Sequence, residues 1–254
     1  MRLYALSCGR FRCRKSIFVP GVDGNEFIES PMPVFFITHP KGNVLFDTGP
    51  HPDVFKNAAS RWGGLAKVFE PIGDERSGIL PQLGKIGISS ENIKFVVNSH
   101  LHFDHARGNQ FFTQATFLVS KQEIECARKP ENEGKGYFKE DWSHPLNYQE
   151  IEGELDIFGD RRLIIMPMPG HTFGHQIMLV KLKQSGTIVL SGDSVPCREN
   201  FVDFIISRNN MDNDKSLLTI QKLHKIVENE RAFIIHGHDP SQWGNIKLAP
   251  DYFY

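Results

Sequence analysis

The segment Ser99-His100-Leu101-His102-Phe103-Asp104-His105 sets three imidazoles and a carboxylate within six residues, from His100 to His105. Histidines packed so closely oppose one another's charging, and a divalent ion removes that conflict by binding the neutral rings. In an extended segment His100 and His102 project to the same side, so both can address one ion. A turn after Phe103 lets Asp104 and His105 address a second ion close by. A merely solvated histidine-rich loop would leave this spacing without a reason.

Three further residues stand in comparable places. His171 follows the run Leu163-Ile164-Ile165-Met166 through Pro169-Gly170, which permits a tight turn. Asp193 follows Ile188-Val189-Leu190 through Ser191-Gly192, and His238 follows Phe233-Ile234-Ile235. Each alone is a weak signal, because a histidine after a strand is usually a loop or packing residue. All of them at the ends of expected strands point instead to one metal site. Nitrogen and oxygen donors suit zinc, and the same set accepts iron, manganese or cobalt. Cys8, Cys13, Cys126 and Cys197 form no C-x-x-C pair and read as free thiols of a reducing compartment, hence a cytoplasmic protein.

The elements that must carry these residues are legible as short apolar runs. Leu3-Tyr4-Ala5-Leu6 and Ile17-Phe18-Val19 read as two strands. Val34–Ile37 and Val44–Phe46 flank the turn residues Pro40-Lys41-Gly42-Asn43 and read as a hairpin, whose second strand ends at Asp47-Thr48-Gly49. Residues 52 to 78 read as a loop region containing a helix, and 79 to 86 as helical. Phe95–Val97 and Phe117–Val119 read as strands, the latter leading into a helix over 121–129. The polar stretch Pro130 to His144 reads as an insertion or flexible loop. In the second half, Leu163–Met166, Ile177–Val180, Ile188–Leu190 and Ala232–Ile235 read as strands. Residues 214 to 229 read as a helix capped by Asp212 or Asn213, with Leu217, Leu218, Ile220, Leu223, Ile226 and Val227 on one stripe. Two β-rich halves, each closing with a helix, predict one layered α/β domain over residues 1–254.

Composition narrows the function classes. The chain has 254 residues, 40% hydrophobic and 23% charged, which suits a globular protein with a substantial core. Lys plus Arg number 29 against 30 for Asp plus Glu, so the basic excess of a nucleic-acid binder is missing. No apolar run exceeds four residues, far from the roughly 20 a membrane helix needs. Arg2, Arg10, Arg12, Arg14 and Lys15 precede the first acidic residue, Asp23, but a serine-poor segment with strand-like runs reads as structure with a solvated cationic face rather than a targeting peptide.

The ordered series Asp47-Thr48-Gly49, His100-x-His102-x-Asp104-His105, His171, Asp193 and His238 resembles the metallo-β-lactamase superfamily over nearly the whole chain. The resemblance implies a four-layered αβ/βα sandwich, with two mixed β-sheets flanked by helices and a dinuclear site at one edge. It implies that His100, His102 and His171 bind one metal, that Asp104, His105 and His238 bind the other, and that Asp193 bridges them. Asp47 is then expected to orient the site without coordinating.

Among the branches, the chain is most similar to the N-acyl homoserine lactone lactonases of quorum quenching. Leu146-Asn147-Tyr148, Ile151-Glu152-Gly153 and Pro169-Gly170-His171-x-x-Gly174-His175-Gln176 carry that similarity beside the metal motif. Two positions depart from it. Pro196 stands where these lactonases usually carry a tyrosine contacting the substrate carbonyl, and Arg107 replaces a usual glycine, which is expected to place a cation near the pocket. The similarity implies a hydrolase of a lactone or related ester, acting by attack of a hydroxide shared by two divalent metals, with Asp104 protonating the leaving alkoxide. The alternative is a glyoxalase II-like thioesterase, although no basic glutathione site is visible, or another metallo-β-lactamase-fold hydrolase of an unknown small-molecule substrate. The expected partner is a small-molecule lactone or ester, with no nucleic acid and no membrane. His175 is expected to orient a neighbour of His171, and His236 to stand at most behind the ligands. His39, His51 and His224 read as surface or packing residues. The phenylalanines read as core, with Phe103 nearest the motif.

Overall fold

The computed structural model describes residues 1–254. Alternation of period two builds its first sheet. Strand β1 (Arg2–Arg14) sends Leu3 and Ala5 to one face and Tyr4, Leu6 and Cys8 to the other. It pairs antiparallel with β2 (Phe27–Thr38), which turns into β3 (Asn43–Phe46). β4 (Glu70–Ile72) joins the outer edge of β1. β5 (Ile93–Val97), β6 (Thr116–Ser120) and β7 (Asn147–Ile151) extend the sheet in parallel, giving the order β4-β1-β2-β3-β5-β6-β7. The second sheet contains β8 (Leu155–Asp156), β9 (Leu163–Pro167), β10 (Gln176–Leu182), β11 (Gly186–Leu190) and β12 (Phe233–Ile235), in the order β12-β11-β10-β9-β8. In it only β11 and β12 run parallel.

Seven helices accompany the sheets: α1 (Ala58–Trp62), α2 (Ile79–Gly84), α3 (Lys121–Ala127), α4 (Lys139–Trp142), α5 (Arg198–Val202), α6 (Asn213–Glu230) and α7 (Pro240–Trp243). Leu3, Ala5, Phe35, Val97 and Leu118 of the first sheet pack against Leu163, Met178, Ile188 and Ile235 of the second. Outside the first sheet, Tyr4, Leu45 and Phe117 pack with Ile79 and Leu83 of α2 and Ile124 of α3. Outside the second, Ile177, Leu179 and Val189 pack on Ile220 and Leu223 of α6. These three apolar layers make the expected αβ/βα sandwich, and each fully buried aliphatic side chain contributes about 1.5–3 kcal/mol of transfer free energy. Asp212 caps α6 by accepting from the Lys215 amide at 2.9 Å.

Several local expectations change. Ile17-Phe18-Val19 is not a strand: Phe18 and Val19 both donate to the Lys15 carbonyl, closing a 3₁₀ turn. β1 instead runs on to Arg14, because Phe11 and Cys13 point inward while Arg10 and Arg12 reach Glu29 and Glu70 at 3.2 and 3.7 Å. Leu217 and Leu218 lie off the α6 stripe at 38% and 63% exposure, whereas Ile220 and Leu223 are buried. β4, β7 and β8 are strands without a strong apolar run. Pro130 to His144 is no free loop: it holds α4, and the Gly136 carbonyl accepts from the Phe103 amide at 3.0 Å.

Candidate metal centre

The residues singled out by chemistry all leave the carboxyl ends of strands. Asp47 follows β3, the His100-to-His105 segment follows β5, His171 follows β9, Asp193 follows β11 and His238 follows β12. Parallel β3 and β5 deliver their ends to one edge of the first sheet, and parallel β11 and β12 do the same for the second. Three sets of donor atoms converge there within 4.8 Å: His100 with His102 and His171, Asp104 with His105 and His238, and His100 with His105 and Asp193. Asp193 faces both histidine groups. Its Oδ2 lies 3.4 Å from His171 Nε2, and its Oδ1 lies 3.2 Å from His105 Nε2 and 3.0 Å from His238 Nε2. Asp104 Oδ2 is 3.6 Å from His105 Nε2 and 3.5 Å from His238 Nε2. All seven side chains are buried.

Hydrogen bonds on the outer side fix which ring nitrogen faces the cluster. His105 Nδ1 meets Asp47 Oδ2 at 2.8 Å, His238 Nδ1 donates to the Pro31 carbonyl at 2.8 Å, and His171 Nδ1 meets Asn210 Oδ1 at 3.2 Å. Ser99 Oγ donates to Asp47 Oδ2 at 2.8 Å and so can accept from His100 Nδ1 at 2.9 Å. Each of these bonds places the proton on Nδ1 and leaves the Nε2 lone pair inward. His102 is reversed: its Nδ1 faces His171 Nε2 at 3.0 Å, and its ring packs against Gly136, where a Cβ would fall 2.8 Å away. Asp47 also accepts from the Ser99 amide and holds a left-handed φ of 62°, a conformation Asp tolerates better than most residues.

The donors fit a pair of divalent ions. His100 Nε2 is buried without a hydrogen-bond partner, which would be costly in a site built only for packing, and Asp193 Oδ1 has only imidazole nitrogens beside it. Burial, reinforced by neighbouring imidazoles, holds His100 and His102 well below the usual histidine range, so both rings present lone pairs at neutral pH. For His105 burial acts in the same sense, but Asp104, Asp193 and Asp47 outweigh it and hold the ring well above that range, so this position favours positive charge that a divalent ion would supply in place of a proton on Nε2. Burial would raise Asp193, yet His238, His105 and His171 keep it well below the ordinary carboxylate range. The fold and these clusters indicate a dinuclear divalent-metal centre.

Some supporting residues differ from expectation. His175 does hold a neighbour of His171, namely Asp193: its Nε2 accepts from the Asp193 amide at 3.0 Å and its Nδ1 meets Ser194 Oγ at 3.0 Å. His236 stands away from the cluster, near Phe201, and lines a separate cavity of about 490 Å³ that none of the clustered residues borders. Arg107 does not offer a free cation: its Nε bonds Asp141 Oδ2 at 2.7 Å and its guanidinium stacks on Phe138. Pro196 supplies no phenol, but its carbonyl accepts from the His238 amide at 2.7 Å. Phe103 packs edge-on to Trp62 in a buried aromatic cluster. Glu123 and Asn210 were not visible as site residues, because their partners are distant in sequence and no motif surrounds them.

The model of the metallo-beta-lactamase superfamily matches residues 31–238. The N-acyl homoserine lactonase AttM of Azorhizobium caulinodans is 33% identical over 259 aligned positions, covering 100% of this chain and 98% of its own length. An N-acyl homoserine lactonase of Bacillus cereus is 29% identical over 252 positions, covering 99% and 98%. Among solved structures, an N-acyl homoserine lactone hydrolase with the product N-hexanoyl-L-homoserine bound at its catalytic metal center superposes with a TM-score of 0.91. It is 28% identical and is matched over 99% of this chain and 98% of that one. With sandwich, donor cluster and full-length similarity in agreement, the chain belongs to the metallo-beta-lactamase superfamily, on its N-acyl homoserine lactonase branch.

Proposed function

We propose that this protein is an N-acyl homoserine lactonase, opening the lactone ring by metal-dependent hydrolysis, with residues 1–254 acting as one hydrolase domain. The observation that carries the reading is Asp193, whose two oxygens face two separate groups of imidazoles. His100, His102 and His171 would hold one ion, Asp104, His105 and His238 the other, and Asp193 both. Zinc is the first choice for this thiolate-free set of borderline nitrogen and oxygen donors. Bound divalent ions supply Lewis acidity, making water nucleophilic near neutral pH and polarising a carbonyl oxygen.

The chain's own groups do the rest. Asp104 turns Oδ2 toward His105 and His238, which leaves Oδ1 to take up the proton lost by the attacking water and hand it to the departing alkoxide. Asp47, Pro31, Asn210 and Ser99 hold the imidazoles in fixed tautomers, so no reorientation is required during turnover. Pairing with Asp141 keeps the Arg107 charge from standing free beside the metal motif. Four free, buried cysteines support a reducing, cytoplasmic location. No helix is long and apolar enough to cross a membrane. The substrate is a small molecule, not a nucleic acid or a membrane surface.

A pH-stat assay of the metal-loaded chain with N-acyl homoserine lactones, simple lactones and S-lactoylglutathione tests this reading. Acid release is expected from the acylated lactones. Turnover confined to the thioester would transfer the chain to the thioesterase class.

A further inference from the structure

Glu123 lies on α3, outside every motif, and its carboxylate is completely buried with no cation beside it. Burial raises its pKa, and only hydrogen-bond donors act in the opposite direction. Those donors come from three separate segments around the metal centre. Oε1 accepts from the Leu101 amide at 2.9 Å and from the Tyr137 hydroxyl at 2.8 Å, and Oε2 accepts from Thr172 Oγ1 at 2.6 Å. Leu101 separates His100 from His102, Thr172 follows His171, and the Tyr137 ring packs edge-on to His102 at 4.6 Å. The contact is close enough that a Cβ on Gly174 would collide with the Glu123 backbone.

We propose that Glu123 is the positioning residue for one half of the metal centre, the His100–His102–His171 group, and has no comparable part in the other half. This rests on the two-ion reading above. One carboxylate ties both loops that carry this group to α3. None of its bonds reaches Asp104, His105 or His238, and the two imidazoles among these are instead braced by Asp47 and the Pro31 carbonyl. A carboxylate accepts from all three at once, whereas an amide keeps an acceptor at one oxygen position only and turns an N–H₂ toward a hydroxyl or the Leu101 N–H, so at least one of the three bonds must reverse or break. The expected effect of Glu123→Gln is therefore a selective loss at one ion site, on the scale of about 10–100-fold in affinity that outer-sphere partners of metal ligands command.

The test starts from the zinc-loaded chain and measures Zn²⁺ affinity by competition with a chromogenic chelator. Wild type, the single variants Glu123→Gln, His102→Ala and Asp104→Ala, and the two doubles that combine Glu123→Gln with either of the others form two double-mutant cycles. Support is a loss of about tenfold or more when Glu123→Gln is made alone or on the Asp104→Ala background, with no further loss on the His102→Ala background. Equal weakening on both backgrounds, or unchanged affinity, overturns the proposal. If Glu123→Gln does not fold, Thr172→Val and Tyr137→Phe, each deleting one bond, carry the same comparison. Each must weaken the same single site by several-fold, and failure of both to do so overturns the proposal. Wild-type protein that holds fewer than two ions overturns the two-ion reading together with this one. Two ions in wild type with no selective loss in the variants overturns the role of Glu123 alone.

Discussion

Arg107 and Asp141 form an ion pair with an Nε–Oδ2 distance of 2.7 Å, and each side chain is only 3% exposed. Burial acts against both charges, lowering Arg107 and raising Asp141, and each partner's charge opposes the shift of the other. The pair joins the loop just past His105 to α4, so it fastens the 130–144 segment beside the metal motif. Arg107 is thus a structural clasp whose charge is spent inside the fold.

Removing one member of such a pair leaves the other buried and uncompensated. Arg107→Gly is expected to destabilise the fold by about 3–5 kcal/mol, and adding Asp141→Asn should restore part of that loss. A buried carboxyl without its partner has a raised folded-state pKa. Its penalty is therefore small below its unfolded value near 3.9 and grows as pH rises through the folded value. Urea midpoints of the single and double variants between about pH 5 and pH 8 check both points. Equal stability of wild type and Arg107→Gly would show that the clasp contributes nothing.

Asp47 touches no inward-facing nitrogen, yet it sets the tautomer of His105 and the Ser99 hydroxyl that meets His100. Asp47→Asn replaces one acceptor oxygen by an N–H₂ group and sets two donors against each other. Zinc affinity is expected to fall by about 10–100-fold while far-UV circular dichroism stays unchanged. Undiminished zinc retention during dialysis against a chelator would refute the role.

The parts legible in the sequence were those with a local cause. Period-two alternation and turn residues gave most strands, and ligands followed strands because parallel strands end at a shared edge. Arg10 and Arg12 hid the second half of β1, since their exposed face is stabilised by Glu29 and Glu70 from elsewhere in the chain. β7 lacked an apolar run because Asn147, Gln149 and Glu150 are exposed while its backbone pairs with β6. The functions of Glu123, His175 and Arg107 depend on partners 14 to 49 residues away, which no single-sequence periodicity encodes.

His51 gives the fold a separate acid sensitivity. Burial, aided by Arg61, lowers its pKa from 6.5 to about 4, while Asp53 pulls weakly the other way. The unfolded chain therefore binds this proton more readily. Stability from the neutral ring is complete above about 6.5 and is lost as pH falls toward 4. One such group contributes a slope of up to about 1.4 kcal/mol per pH unit within that window. His51→Gln should flatten the pH dependence of the unfolding free energy there by up to this amount and leave the slope above pH 7 unchanged. Parallel curves for the two proteins would show that His51 titrates alike folded and unfolded.

Asp104 offers the sharpest separation of binding from chemistry. Its Oδ2 faces His105 and His238, and an asparagine keeps a carbonyl oxygen for that position while losing the ability to give up a proton from the other. His105, His238 and Asp193 still surround the site, so Asp104→Asn should retain much of its metal. Turnover of an acyl homoserine lactone should nevertheless fall by about 10²–10⁴-fold, the range that general-acid catalysis supplies. The loss should appear in kcat more than in KM, because protonation of the leaving alkoxide matters only once the ring bond begins to break. Metal content by elemental analysis and initial rates on the same preparation test the pair of expectations together. Near-normal turnover with full metal content would remove Asp104 from the proton-transfer role, and loss of metal in proportion to loss of rate would make it a ligand only.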